Sequence, residues 1–199
     1  MPFLPVIDVS PLVAQSGTDA VASEIAEACR DHGFFYVVGH GVDQGLIDQL
    51  DGLSHDFFAR PLEAKLAIRM ALGGRAWRGY FPIGAELTSG QPDGKEGLYF
   101  GAELPEDHPK VKTRTPLYGR NLFPDILGFR EVVLDYMASL TELGHILMEG
   151  IALSLGLEPA YFRDRYTDDP LILFRIFHYP HFRIPSRCGA LGNIRTTGC

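Results

Sequence analysis

Arg175, Phe177 and Tyr179 alternate along the run Leu171-Ile172-Leu173-Phe174-Arg175-Ile176-Phe177-His178-Tyr179-Pro180 of this 199-residue chain. A period of two puts them on one face of a strand, opposite Ile176 and His178. A guanidinium offers fixed, forked donors and a phenol hydroxyl offers one more, and both suit a carboxylate ligand. A tyrosine packed in a sheet wall and an arginine in a surface ion pair are the plainer alternatives. Arg78 and Tyr80, in the run Arg78-Gly79-Tyr80, suit an anionic or aromatic small molecule; the alternative is an anchor for the surrounding loop. Asp93, Lys95 and Glu96 read as solvated or loop-bracing ion pairs, worth little if exposed. The histidines show no His-x-Asp or His-x-x-x-His spacing, so no metal ligand and no catalytic residue is expected among them. His40, between Gly39 and Gly41, reads as a structural tie in a tight turn. His178 reads as a packed or hydrogen-bonded core residue.

The elements that must position these side chains follow from periodicity. Pro5 to Val9 reads as a short strand. Residues 19–32 read as a helix with Val21, Ile25, Ala28 and Cys29 on one face and Gly33 past its end. The aromatic and β-branched run Phe34 to Val38 reads as a buried strand. Leu46, Ile47, Leu50, Leu53 and Phe57 recur at helical spacing, giving a helix from about Asp43 to Ala59. Pro61 can open a further short helix. Residues 71–120 are rich in Gly and Pro and read as loops with short strands. The longest helical signal is 124–155, where Val132, Tyr136, Leu140, Leu143, Leu147 and Ile151 form a stripe. A short helix near 159–165 precedes the strand Leu171 to Pro180. After Pro180 the run HFRIPSRCGALGNIRTTGC has no apolar period.

Four segments, taken in order, carry a resemblance: the opening PVIDVS, the stretch DHGFFYVVGHGV, the pair RGY and DGKEGLYFG, and FRIFHYP. Residues 4–180 resemble the isopenicillin N synthase-like family of non-haem Fe(II)/2-oxoglutarate-dependent oxygenases. The resemblance implies an α+β fold: a helical N-terminal region with the first strands of a double-stranded β-helix, or jelly roll. It divides the chain into an N-terminal region (1–120), the long helix with the start of the barrel (121–180) and a tail that departs from the family (181–199). It implies that Tyr179 and Arg175 meet the carboxylate of 2-oxoglutarate and that Arg78 and Tyr80 lie near the substrate. Phe177 stands where many plant relatives carry a polar residue.

In such a family the iron site is a His-x-Asp pair and a later His. After Pro180 the only histidine is His181 and no Asp follows. One reading frame over, permitted codons allow the tail to be re-read as LPDPESLWGVGEHTDYGL, which resembles the family's iron-binding strand pair. The expectation is therefore a truncated, frame-shifted member: an intact parent that uses Fe(II) and 2-oxoglutarate to oxidise a small molecule, and a chain that as written binds neither and is inactive. The rival expectation is a non-catalytic interaction module.

Composition narrows the other classes. With 46% apolar residues and a mean hydropathy of +0.02, the chain can bury a core. A net charge of −7 argues against a general nucleic-acid binder. No run is long enough to span a membrane, and the first ten residues lack the basic start and apolar centre of a signal peptide, so a cytoplasmic protein is expected. Cys29 stands alone in the patterned part, which leaves no disulfide framework there.

Overall fold

The structure is a computed structural model that describes residues 4–180. The expectation of an irregular tail at 181–199, with Cys188 and Cys199, lies outside the described residues.

Val6–Asp8 forms β1, and the chain turns at once into a one-turn helix, α1, at Ser10–Val13. The periodicity does not announce α1. It is started by Pro11 in its first turn and by the Asp8 carboxylate, which accepts the Ser10 N–H at 2.9 Å. Helix α2 spans Thr18–Asp31 and buries Val21, Ala22, Ile25 and Ala28. Cys29 is exposed, one position off that stripe. Strand β2, Tyr36–Val38, pairs in parallel with β1, with Val6 opposite Tyr36 and Asp8 opposite Val38.

The expectation of a buried strand at 34–38 needs correction. Phe34, Tyr36 and Val38 are 57%, 60% and 48% exposed, and only the Phe35 and Val37 side packs inward. A two-stranded sheet has one covered face, and the apolar run supplies side chains to both.

Helix α3, Gln44–Phe58, is capped by Asp43, whose carboxylate accepts the Gly45 N–H at 2.7 Å. The short helix α4, Leu62–Leu66, follows. Strands β3 (Gly79–Phe81), β4 (Leu87–Thr88), β5 (Gln91–Pro92) and β6 (Glu96–Phe100) then alternate with turns. A short helix, α5, spans Pro109–Lys112. Helix α6, Phe129–Ser154, starts later than its periodicity suggests: Gly128 sits at φ +78°, a left-handed conformation that ends any helical run from Pro124. Strand β7 is Phe174–His178; the residues from Leu171 to Leu173 lead into it without pairing.

The sheet that matters has the order β3-β6-β7, antiparallel throughout. Its strands come from either side of residue 120, so β7 closes a sheet begun by strands roughly 75 residues or more earlier in the chain. Helix α6 serves two apolar cores. Its first half, through Phe129, Val132, Val133 and Met137, packs with Phe57 and Phe58 of α3 and with Tyr80, Leu98 and Phe100 of the sheet. Its second half packs through Ile146, Leu147 and Ile151 against Ile7, Val9, Leu12, Val21 and Ile25. Gly150 permits that second contact: a Cβ there would sit 2.7 Å from a Leu12 methyl and 2.9 Å from one of Ile25. Among the described residues no helix is long and apolar enough to cross a membrane.

Candidate functional site

The register of the β3-β6-β7 sheet sorts every candidate side chain onto one of two faces. Gly79, Tyr99 and Arg175 lie in one cross-strand row and Phe81, Gly97 and Phe177 in the next, all on the face turned away from α3 and α6. Tyr80, Leu98 and Ile176 form the matching row on the helix side, flanked by Glu96 opposite His178.

On the face away from the helices, aromatic rings make a wall. Phe81 and Phe177 meet edge to face at 6.1 Å across Gly97. A Cβ on Gly97 would come within 2.7 Å of both rings, so only glycine lets them meet there. Trp77, held at φ +55° where bulky residues are rare, stacks flat on Tyr99 at 5.7 Å. The Arg175 guanidinium lies 5.2 Å from the Phe177 ring centre and 5.8 Å from that of Tyr99. Tyr179 packs edge to face on Phe177 and remains 64% exposed. Burial, and then the hydrogen bond to Glu86, raises the Tyr99 phenol above its usual pKa. Lys95 pairs with Asp93 at 2.8 Å and Glu86 at 3.4 Å, and its ammonium lies 4.8 Å from the Phe177 ring centre. Arg175, Phe177 and Tyr179 are thus on one face, as their alternation predicts. Tyr99, Trp77, Glu86 and Lys95 complete that face and come from loops and strands whose partners no local pattern reveals.

On the helix side is a buried polar network. Glu96 is 3% exposed and Lys65 7%. Lys65 Nζ donates to Glu96 Oε2 at 2.8 Å and to the Phe58 carbonyl at 3.1 Å. The Tyr80 hydroxyl donates to the same Oε2. His178 Nδ1 lies 2.8 Å from Glu96 Oε1; facing a carboxylate, it carries the proton and donates. Burial pushes the Glu96 carboxyl up, but the bonds from Lys65, Tyr80 and His178 outweigh it and hold the group below the ordinary glutamate value. Burial, and then Glu96, pushes the Tyr80 phenol far above its usual range. Of the solvated or loop-bracing ion pairs expected here, Lys95 does pair with Asp93, but Glu96 is no part of it: strand alternation turns Glu96 inward while Lys95 stays outside. His178 is hydrogen-bonded in this network, one of its expected roles, but it is not a core residue: its side chain is 38% exposed at the network's edge.

Arg78 and Tyr80 do not line an open surface; each is 1% exposed. Arg78 donates to the carbonyls of Ala76 and Leu117, each at 2.7 Å, tying two loops together. Gly101 makes the room it needs, since a Cβ there would collide with the guanidinium. Burial lowers the Arg78 pKa, opposed by nearby Glu103. His40 Nδ1 accepts the Val42 N–H at 3.1 Å, the local tie expected of it. Among the described residues, no three His, Cys, Asp or Glu side chains converge as a metal ion requires. The Glu96 and His178 pair lacks a third ligand, and the Lys65 ammonium already occupies the carboxylate as a counter-charge.

The family described as "non-haem dioxygenase in morphine synthesis N-terminal" matches residues 4–126. The chain is 50% identical over 189 residues to a Dictyostelium discoideum protein described as a probable iron/ascorbate oxidoreductase, covering 89% of this chain and 52% of that one. It is 41% identical over 183 residues to a 1-aminocyclopropane-1-carboxylate oxidase of the same organism, covering 90% of this chain and 50% of the relative. The chain therefore spans about half the length of the curated relatives it matches. Among solved structures, a 2OG-Fe(II) oxygenase family protein from Caulobacter crescentus superposes with a TM-score of 0.78 at 27% identity, covering 95% of this chain and 60% of that one. The helices packed on one side of an antiparallel sheet are, on this likeness, the helical region and opening strands of a jelly roll. With a family match over more than half its residues and a shared fold, the chain belongs to the non-haem Fe(II)/2-oxoglutarate-dependent oxygenases.

Proposed function

We propose that these 199 residues carry the N-terminal region (1–120) and the opening barrel segment (121–180) of an oxygenase that oxidises a small molecule, and that by themselves they bind neither Fe(II) nor 2-oxoglutarate productively. The observation that carries this reading is the donor-bearing sheet face, where the exposed Arg175 and Tyr179 rest against the Phe177 ring. Arg175 and Tyr179 present donors on that face, in reach of a carboxylate arriving from the side away from the helices. Iron, when held by ligands from a longer chain, would supply oxygen activation. The residues described here would supply the wall: Phe81, Tyr99 and Phe177 exclude water, and Arg175 and Tyr179 orient the cosubstrate. The burial and internal bonding of Arg78 and Tyr80 favour bracing of that wall over contact with substrate. The charge of −7 supports a small-molecule partner over nucleic acid.

The test is anaerobic calorimetry of the 199-residue chain with Fe(II) and 2-oxoglutarate. The expected result is no saturable heat; one-to-one binding in the micromolar range would overturn the reading. A second arm extends the coding region in the frame that restores His-Thr-Asp after Tyr179 and supplies a later His. That longer protein should convert 2-oxoglutarate to succinate, and Arg175→Ala should lower its apparent affinity for the cosubstrate by about tenfold, the loss of one charge-assisted contact.

A further inference from the structure

Two segments, 72–76 and 106–122, enclose a hollow of about 290 Å³. Three arginines line it, Arg75, Arg114 and Arg120, against one carboxylate, Glu106. The second segment is where positive charge concentrates: Lys110 to Arg120 holds four basic residues and no acidic one, in a chain of net charge −7. Lys110 is committed to Asp169 and Tyr118. Arg120 meets Glu106 only loosely, at 3.7 Å with both side chains exposed. The Arg75 guanidinium reaches only the Arg114 carbonyl, at a long 3.5 Å. The Arg114 guanidinium makes no hydrogen bond, ion pair or ring contact among the described residues. The hollow thus carries more positive charge than its own residues neutralise.

The backbone holds these arginines around one place. Arg114 stands just past the end of α5, its N–H on the Val111 carbonyl and the Thr115 N–H on the Lys110 carbonyl, both at 2.9 Å. Helices usually end this way on a glycine, because the residue takes a left-handed conformation; Arg114 takes it at φ +55°. Glycine would sit there without strain, so the arginine stands against the backbone's preference. The facing segment is clamped close. The Leu117 N–H donates to the Arg75 carbonyl at 2.8 Å, and a Cβ on Gly119 would come within 2.8 Å of that of Ala76. Tyr118, also on the hollow, accepts from Lys110 Nζ at 3.3 Å, which leaves its own hydroxyl proton free to donate. Leu72, Val111 and Leu122 supply apolar lining.

We propose that this hollow is an anion site, separate from the β3-β6-β7 face, that takes the phosphoryl head of a small organic phosphate ester. Forked guanidiniums match phosphoryl oxygens, and a phosphate monoester carries close to two negative charges, enough to answer the excess of arginine over glutamate. The apolar lining takes the organic body, so an inorganic ion fills only part of the site.

The probes are phenyl phosphate, inorganic phosphate and phenol, each titrated by calorimetry into the 199-residue chain at one low ionic strength. Phenyl phosphate should bind one-to-one and about tenfold tighter than inorganic phosphate, and phenol should show no saturable heat. Arg114→Gly removes the guanidinium and relieves the backbone. It should weaken phenyl phosphate binding by about tenfold while the thermal midpoint holds or rises. Arg75→Ala should weaken binding to a similar extent, and Arg114→Lys, which keeps the charge without the fork, should fall between. Arg30→Ala, on α2 and paired with Asp31, should leave binding unchanged. Absence of saturable phenyl phosphate binding, or an equal loss from Arg30→Ala, would overturn the proposal, because the arginines would then be ordinary solvated charges. Equal affinity for phenyl phosphate and inorganic phosphate would also overturn it, and free phosphate would be the occupant. Neither iron nor 2-oxoglutarate enters the measurement, so its outcome is independent of the oxygenase reading.

Discussion

On the helix side of the β3-β6-β7 sheet, Glu96, Lys65 and Tyr80 form a polar cluster inside an apolar core, with the half-exposed His178 ring bonded at its edge. On the other side, one residue along each strand, Arg175 and Tyr179 reach outward past an aromatic wall. The same three strands thus hold polar groups in two ways. Inside, each charged or polar group has a partner, because an unpaired charge in a core is costly. Outside, the donors stay accessible and rest against aromatic side chains, an arrangement that leaves them available to a ligand. The inner face is where stability should reside, and the outer face is where recognition should reside.

The largest expected effect tests the inner face. Glu96→Ala strands the Lys65 ammonium in the core and should cost about 3–5 kcal/mol in urea unfolding. The paired replacement Lys65→Met with Glu96→Leu should recover most of that loss, since an apolar pair can stand in for a buried ion pair. A loss below about 1 kcal/mol for Glu96→Ala, the level of a surface pair, would break the contrast.

A smaller effect sharpens it through pH. The Glu96 carboxyl titrates below its ordinary value in the fold, so its contribution is fully present above the unfolded glutamate pKa of about 4.3 and disappears as pH falls through the folded value. Stability of the chain should therefore drop as pH falls from about 4.3 toward the lower folded value. In Glu96→Gln this part of the acid limb should flatten, and an unchanged acid limb would remove Glu96 as its source.

The smallest effect belongs to the outer face. Arg175→Ala and Tyr179→Ala should each change stability by less than about 1 kcal/mol, because the first removes cation–π contacts and a bond to the Tyr99 hydroxyl made by an exposed side chain, and the second one exposed edge-to-face pair. A larger drop at either position would mean that the outer face carries fold stability after all.

Helical spacing carried most of the fold in plain view. Of the predicted stripes, Leu50 and Phe57 and Val21, Ile25 and Ala28 are buried and Leu46 and Leu53 partly so, while Cys29 is exposed and Ile47 lies outside the core. The alternation of Arg175, Phe177 and Tyr179 is visible because a strand repeats every two residues, whatever its neighbours. The Glu96 network was not legible for the opposite reason. Its members are separated by 31, 16 and 82 residues, and only the pairing of β6 with β3 and β7, with α4 packed on β3, brings them together. Asp93, Lys95 and Glu96 look alike in sequence, and nothing local says that one of the three turns inward. Phe34 to Val38 misled in the same way: an apolar run is equally compatible with two covered faces or one.

Helix α6, with 26 residues at 1.5 Å each, is a rod about 39 Å long that forms a wall of both cores. Neither core can come apart without stripping one side of that rod, and a half-stripped helix loses the tertiary support on which most helices depend. The two apolar clusters are therefore coupled into one cooperative unit. Amides in the middle of α6 should exchange with solvent only when the whole molecule opens, whereas those of the β1–β2 ribbon, covered on one side only, should exchange through smaller openings.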